Sequence, residues 1–137
     1  MKTFNINDQE FVNSPAYQNF MRDNPSQGHL KIRAYAASQA LPISGLKIVV
    51  SKVIDNNNVI FFEGTTNESG IIEKIALPAP KLDPNNLDAP SSTTYEITAT
   101  YKPDNVSNVY RVKMYENICV LQTINIVPDM NAMAGDS

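Results

Sequence analysis

His29 and Cys119 are the chain's only imidazole and its only thiol, and about ninety positions separate them. To act as a nucleophile and base they would need to lie on adjacent strands and to find a third group that orients the imidazole. Each stands in an alternating stretch. There the ordinary reading is a surface histidine and a cysteine used as a small hydrophobe, so no catalytic residue is assigned. One of each also falls short of a zinc set.

Oxygen donors cluster in three polar stretches. "TNESG" brings Asn67, Glu68 and Ser69 together, "DNNN" spans 55–58, and "LDPNNLD" holds two carboxylates. Calcium takes six to eight oxygens with several carboxylates at fixed offsets, and none of the three has that spacing. Asn and Asp are common in turns because their side chains bond their own backbone, and the three stretches read as turns. Glu63, Glu68, Glu73, Glu96 and Glu116 are scattered, and nothing selects two of them as a glycosidase pair. No metal, cofactor or catalytic group is expected, and the chain reads as a non-enzyme.

Two surfaces remain as interaction candidates. His29, Lys31, Arg33 and Tyr35 alternate along one strand face, mixing positive charge with an aromatic ring. Arg111 and Lys113 would extend that face if their strand were its neighbour. The alternatives are a solvated sheet face, a patch for an anionic polymer such as peptidoglycan, or a contact with another subunit. The second surface is helical. In "NSPAYQNFMRDNP", Ser14 can cap free N–H groups and Pro15 suits the first helical position. Tyr17, Phe20 and Met21 form one apolar face, and Asn24 before Pro25 ends the helix. This helix either packs on its own domain or docks another subunit.

The elements that must position these residues are strands. After Gly28 the period becomes two: Leu30, Ile32, Ala34 and Ala36 oppose the charged face, and Leu46, Ile48 and Val50 continue the pattern. "DNNN" is a hairpin tip. Residues 78–92 carry four prolines and read as a long surface loop. Tyr95, Ile97, Ala99 and Tyr101 make the clearest strand; Tyr110, Val112 and Met114 make the next. Ile124 and Ile126 face inward in the last strand, where Gln122 on the same face suggests a bulge or a register change. In "IIEKIAL", Ile71 and Ile72 cannot both be inward on a regular strand, and Ile72 is read as the one left for a covering element or partner.

About seven strands at spacings near ten residues, without strand–helix alternation, indicate an all-β, antiparallel two-sheet sandwich with a short N-terminal helix. The expected organisation is an arm over 1–27, the sandwich over 28–128 and a flexible tail over 129–137. At 137 residues, a formal charge of −3 and 42% hydrophobic content, the chain suits one domain with a modest core. The acidic balance excludes nucleic acid as the main partner. Residues 1–18 hold no signal-peptide core, and no apolar run spans a membrane. Cytoplasmic synthesis is expected, with deposition on a spore or cell surface.

Four short motifs then carry a resemblance. Gly28, Leu30 and Ile32; Pro42, Ile43 and Gly45; Thr66, Asn67 and Gly70; and Tyr95 with Ile97 resemble the carboxypeptidase regulatory-like domain, a transthyretin-like sandwich. Over residues 28–128 the loop and the closing "LQTINIVP" are similar to the front domain of spore cortex-lytic enzymes. Asn67 stands where the family has Asp, and Thr100 precedes Tyr101 where it has Gly. No hydrolase domain is expected to follow. The resemblance implies a non-catalytic structural or protein-interaction module of a spore or cell envelope, self-assembling through its arm or its sheet edges. The alternative is an accessory module that binds peptidoglycan or an anionic wall glycan, or regulates a cortex-lytic hydrolase.

Overall fold

A computed structural model describes residues 1–36, 41–102 and 106–126, with the side chain of Val106 left out. The tail over 129–137 lies outside the described residues. Among the described residues nine strands and two helices follow in order: β1 (Thr3–Asn5), α1 (Gln9–Val12), α2 (Pro15–Asp23), β2 (Ser26–Ala36), β3 (Leu41–Pro42), β4 (Lys47–Ile54), β5 (Asn57–Thr65), β6 (Ile71–Ala79), β7 (Thr93–Tyr101), β8 (Val106–Met114) and β9 (Cys119–Ile126). The seven long strands are those read from the two-residue period, and β1 and β3 are short additions. The fold is an all-β sandwich. No described helix is long and apolar enough to cross a membrane.

One sheet runs β1-β5-β4-β7-β8; in the other, β2 lies between β9 on one side and β6 with β3 on the other. Inward residues of the two sheets meet in one core. Leu30, Ile32, Ile75 and Leu77 come from the second sheet; Ile48, Val50, Ile97, Val112 and Met114 come from the first. Tyr95 is fully buried there. Its hydroxyl donates to the Pro78 carbonyl at 2.6 Å, which ties β7 to β6 across the layers and satisfies the one polar atom of the ring. Pro78 is therefore the penultimate residue of β6 rather than the start of the loop. Among the described residues β6 pairs only with β2, and an edge strand tolerates a missing N–H.

The pairing is not antiparallel throughout. β1 runs parallel to β5, and β9 runs parallel to β2. The second case has a local cause. Residues Tyr115–Ile118 turn tightly, with Asn117 at φ 58°, and dock on the beginning of β2. Asn117 donates its N–H to Gln27 at 2.8 Å, and His29 donates to the Ile118 carbonyl at 3.0 Å. A chain that enters the sheet beside the start of β2 must run in the same direction. Gly28 permits this approach, because a Cβ there would lie 2.5 Å from the Tyr115 carbonyl oxygen.

Two hairpin details sharpen the sequence reading. The tip of β4–β5 is only Asp55–Asn56, both at positive φ (50° and 63°). That is the geometry of a two-residue type I′ turn, while Asn57 and Asn58 already pair within β5. β9 keeps an unbroken register with β2 from Cys119 to Ile126. The bulge expected at Gln122 is absent: its side chain stays on the inner face, half-buried, with its amide donating to the Thr123 carbonyl at 2.9 Å.

Candidate functional site: the outer face of the second sheet

The anticipated interaction residues separate into three places. Tyr17, Phe20 and Met21 lie on α2 as the period required, with Ser14 accepting a bond from the Tyr17 N–H at 3.2 Å. They turn toward the chain's own core. Phe20 is 8% exposed, and its ring centroid lies 5.6 Å from that of Phe61, which in turn meets Tyr95 edge-on at 5.0 Å. Phe11 of α1 is buried between Phe4 and Tyr17. The helices of the N-terminal segment thus pack on the sandwich rather than forming a free docking arm, and its last residues, Ser26 and Gln27, already belong to β2.

Ile72 requires a second correction. Pairing slips between Leu30 and Ile32, which oppose Ile75 and Ile72, so β6 spends three residues where β2 spends two. This bulge returns Ile72 to the inner face, where it packs half-buried against the core. Ile71, paired with Arg33, is the outward one.

Lys31, Arg33 and Tyr35 stand as expected on the outward face of β2, between Leu30, Ile32 and Ala34, which are buried. Lys31 pairs with Glu73 at 3.4 Å, an exposed contact of small energetic weight. Arg33 has no carboxylate within ion-pair distance among the described residues. It lines a cleft of about 240 Å³ with Tyr35, Pro42, Glu68 and Ser69. Arg111 and Lys113 do not extend this face. β8 belongs to the other sheet, where Arg111 meets Glu96 of β7 at 3.3 Å.

The "TNESG" turn that closes the cleft is held by its own side chains. Asn67 Oδ1 accepts from the Ser69 and Ile71 N–H groups at 2.9 and 3.0 Å. Thr66 is buried; its hydroxyl accepts from the Leu46 N–H at 3.0 Å and donates to the Ile43 carbonyl. Gly70 sits at φ 75°, and a Cβ there would come within 2.3 Å of the Ala34 carbonyl oxygen. The Pro42–Gly45 and Thr66–Gly70 motifs therefore meet around β2.

On the same face β9 places Cys119, Leu121, Thr123 and Asn125 beside His29, Lys31, Arg33 and Tyr35. His29 and Cys119, distant in sequence, are register partners on adjacent strands. Cys119 is exposed, and no hydrogen bond joins thiol to imidazole among the described residues. No group of three potential metal ligands occurs among the described residues either. Sequence reasoning undervalued the edge itself. On its far side β9 is unpaired among the described residues, and Leu121 and Ile118 are 53% and 47% exposed.

No family model and no curated protein matches the chain. Among solved structures it is similar to the crystal structure of (S)-allantoin synthase, at 14% identity and a TM-score of 0.45, over 77% of this chain and 45% of that one. The chain thus spans less than half the length of that protein. The expectation of a non-enzyme is corrected here: a solved structure that the chain is similar to is an enzyme, and the exclusion of catalysis is withdrawn. At that score the likeness brings no activity, substrate or residue role to this chain.

Proposed function

We propose that the chain is a protein-association module that joins a second copy by strand addition at β9. The observation that carries this reading is the chemistry of that edge. "CVLQTINI" is eight residues long, contains no charge and no proline, and keeps a regular register. Edge strands are ordinarily protected by lysine, proline or bulges, and β9 has none of these. An uncharged edge also suits self-pairing, because no like charges meet across a two-fold axis. β8, the edge of the other sheet, carries Arg111 and Lys113 and fits less well. The motif resemblance over residues 28–128 supports siting this association at a spore or cell envelope, in a sandwich of the carboxypeptidase regulatory-like kind.

Light scattering over a concentration series, from micromolar to millimolar, tests the proposal. The wild type should shift from monomer toward dimer mass, and Leu121→Lys with Thr123→Lys should remain monomeric. A wild type that stays monomeric throughout, or a double variant that associates equally well, would overturn it.

The Arg33 cleft supports a second reading, an accessory site for an anionic wall polymer. A guanidinium without an ion-pair partner among the described residues, beside a half-buried tyrosine, offers charge and a ring for stacking, and Glu68 shares the cleft with it. Pelleting with purified wall should be salt-sensitive and lost in Lys31→Glu with Arg33→Glu; pelleting that ignores both changes would sink this reading.

A further inference from the structure

A separate cavity of about 430 Å³ lies between α2 and the end of β4. Ala16, Phe20 and Ile54 give it apolar walls, Asp23 and Asp55 also line it, and Lys52 is the one lysine among its described lining residues. Phe20 and Ile54 are buried core residues. Lys52 falls on the inward line of β4, alternating with Val50 and Ile54 and opposite Val59, which is fully buried. Its Nζ donates to the Thr94 carbonyl at 2.9 Å and lies 5.8 Å from the centre of the Tyr95 ring.

No carboxylate lies within ion-pair distance of that nitrogen among the described residues. Burial without a counter-ion disfavours the charged form and lowers the pKa of Lys52 below the ordinary lysine value. A larger share of this amine is therefore the neutral nucleophile at a given pH than of an exposed lysine.

We propose that this cavity takes small, uncharged carbonyl compounds, aldehydes above all, and that Lys52 captures them as an imine. The Nζ lone pair adds to the carbonyl carbon, and the carbonyl oxygen takes up a proton to give a carbinolamine. Loss of the hydroxyl as water and of the remaining N–H proton leaves the neutral C=N bond. The step exchanges one water and needs neither oxidant nor reductant; hydrolysis reverses it. Asp23 and Asp55 make the cavity unfavourable for anionic aldehydes.

Reductive trapping of the full-length protein with benzaldehyde and cyanoborohydride at neutral pH, read by peptide mass spectrometry, tests this. Hydride from the reductant converts the imine to a stable benzylamine. Lys52 should be labelled several-fold faster than the exposed Lys47 and Lys113, and 4-carboxybenzaldehyde should narrow that preference. Ala16→Phe, which fills the cavity, should slow labelling at Lys52 and leave the exposed lysines unchanged. Labelling at Lys52 no faster than at the exposed lysines, or unaffected by Ala16→Phe in a folded variant, would overturn the proposal.

Discussion

Single residues carry the turns, and their replacement is informative. Gly70 combines a positive φ with contact against the Ala34 carbonyl. Gly70→Ala must strain the backbone and also displace β2, at a cost of about 1–3 kcal/mol. Urea unfolding should show that loss, and Gly45→Ala, with open space around its Cβ position, should cost less. Glu116 acts at longer range. It accepts from the Leu82 N–H and the Ser26 hydroxyl, and these bonds, first the backbone one, hold its carboxyl below the usual range, with a smaller push from Lys81. A depressed folded-state pKa gives stability that is present above the unfolded carboxylate value and disappears as pH falls through the folded one. Glu116→Gln should lower thermal stability slightly at neutral pH and converge with the wild type in acid, which flattens the acid limb of the profile. The group is fully exposed, so the effect is small. Proteolysis within loop 80–92 should also become faster, because Glu116 anchors the start of that loop.

At the scale of elements, the β6 bulge decides which isoleucine the core keeps. Ile72→Ala should destabilise by about 1–3 kcal/mol, toward the low end for a half-buried site. Ile71→Ala should change stability by less than that, and a reversed order in equilibrium unfolding would refute the register. No pattern of types in "IIEKIAL" distinguishes these outcomes. Two adjacent isoleucines show that the period breaks, and the partner strand fixes where. The helix shows the opposite balance. Ser14, Pro15 and the 17–20–21 spacing determined α2 locally, including its end at Asn24, because caps and proline act within one turn. What the helix covers depended on Phe61 and Tyr95, which arrive from strands far along the chain.

Over the whole molecule, the N-terminal segment belongs to the fold. Phe11 and Phe20 are buried, and Asn24 bonds both the Phe20 carbonyl and Thr93 of β7. Removing residues 1–24 exposes the Phe61–Tyr95 pair and leaves Asn24's partner on β7 unpaired. The truncated chain should lose cooperative thermal unfolding and bind a hydrophobic dye, whereas a separate arm would come away without either effect. With the segment closed onto its own core, the association proposed above falls to the β9 edge, which is unpaired on its far side among the described residues.

The sequence by itself determined the strand and helix periods, the turn chemistry at Asn67 and the inward sets of nearly every strand. Each of these rests on interactions within a few residues. Tertiary structure alone decided the parallel entry of β9, the meeting of His29 with Cys119, the assignment of Arg111 to the opposite sheet and the cavity around Lys52. These depend on which strands become neighbours. That choice is made by burial summed over both sheets, and the two-residue period says which side of a strand faces inward without saying what lies beside it.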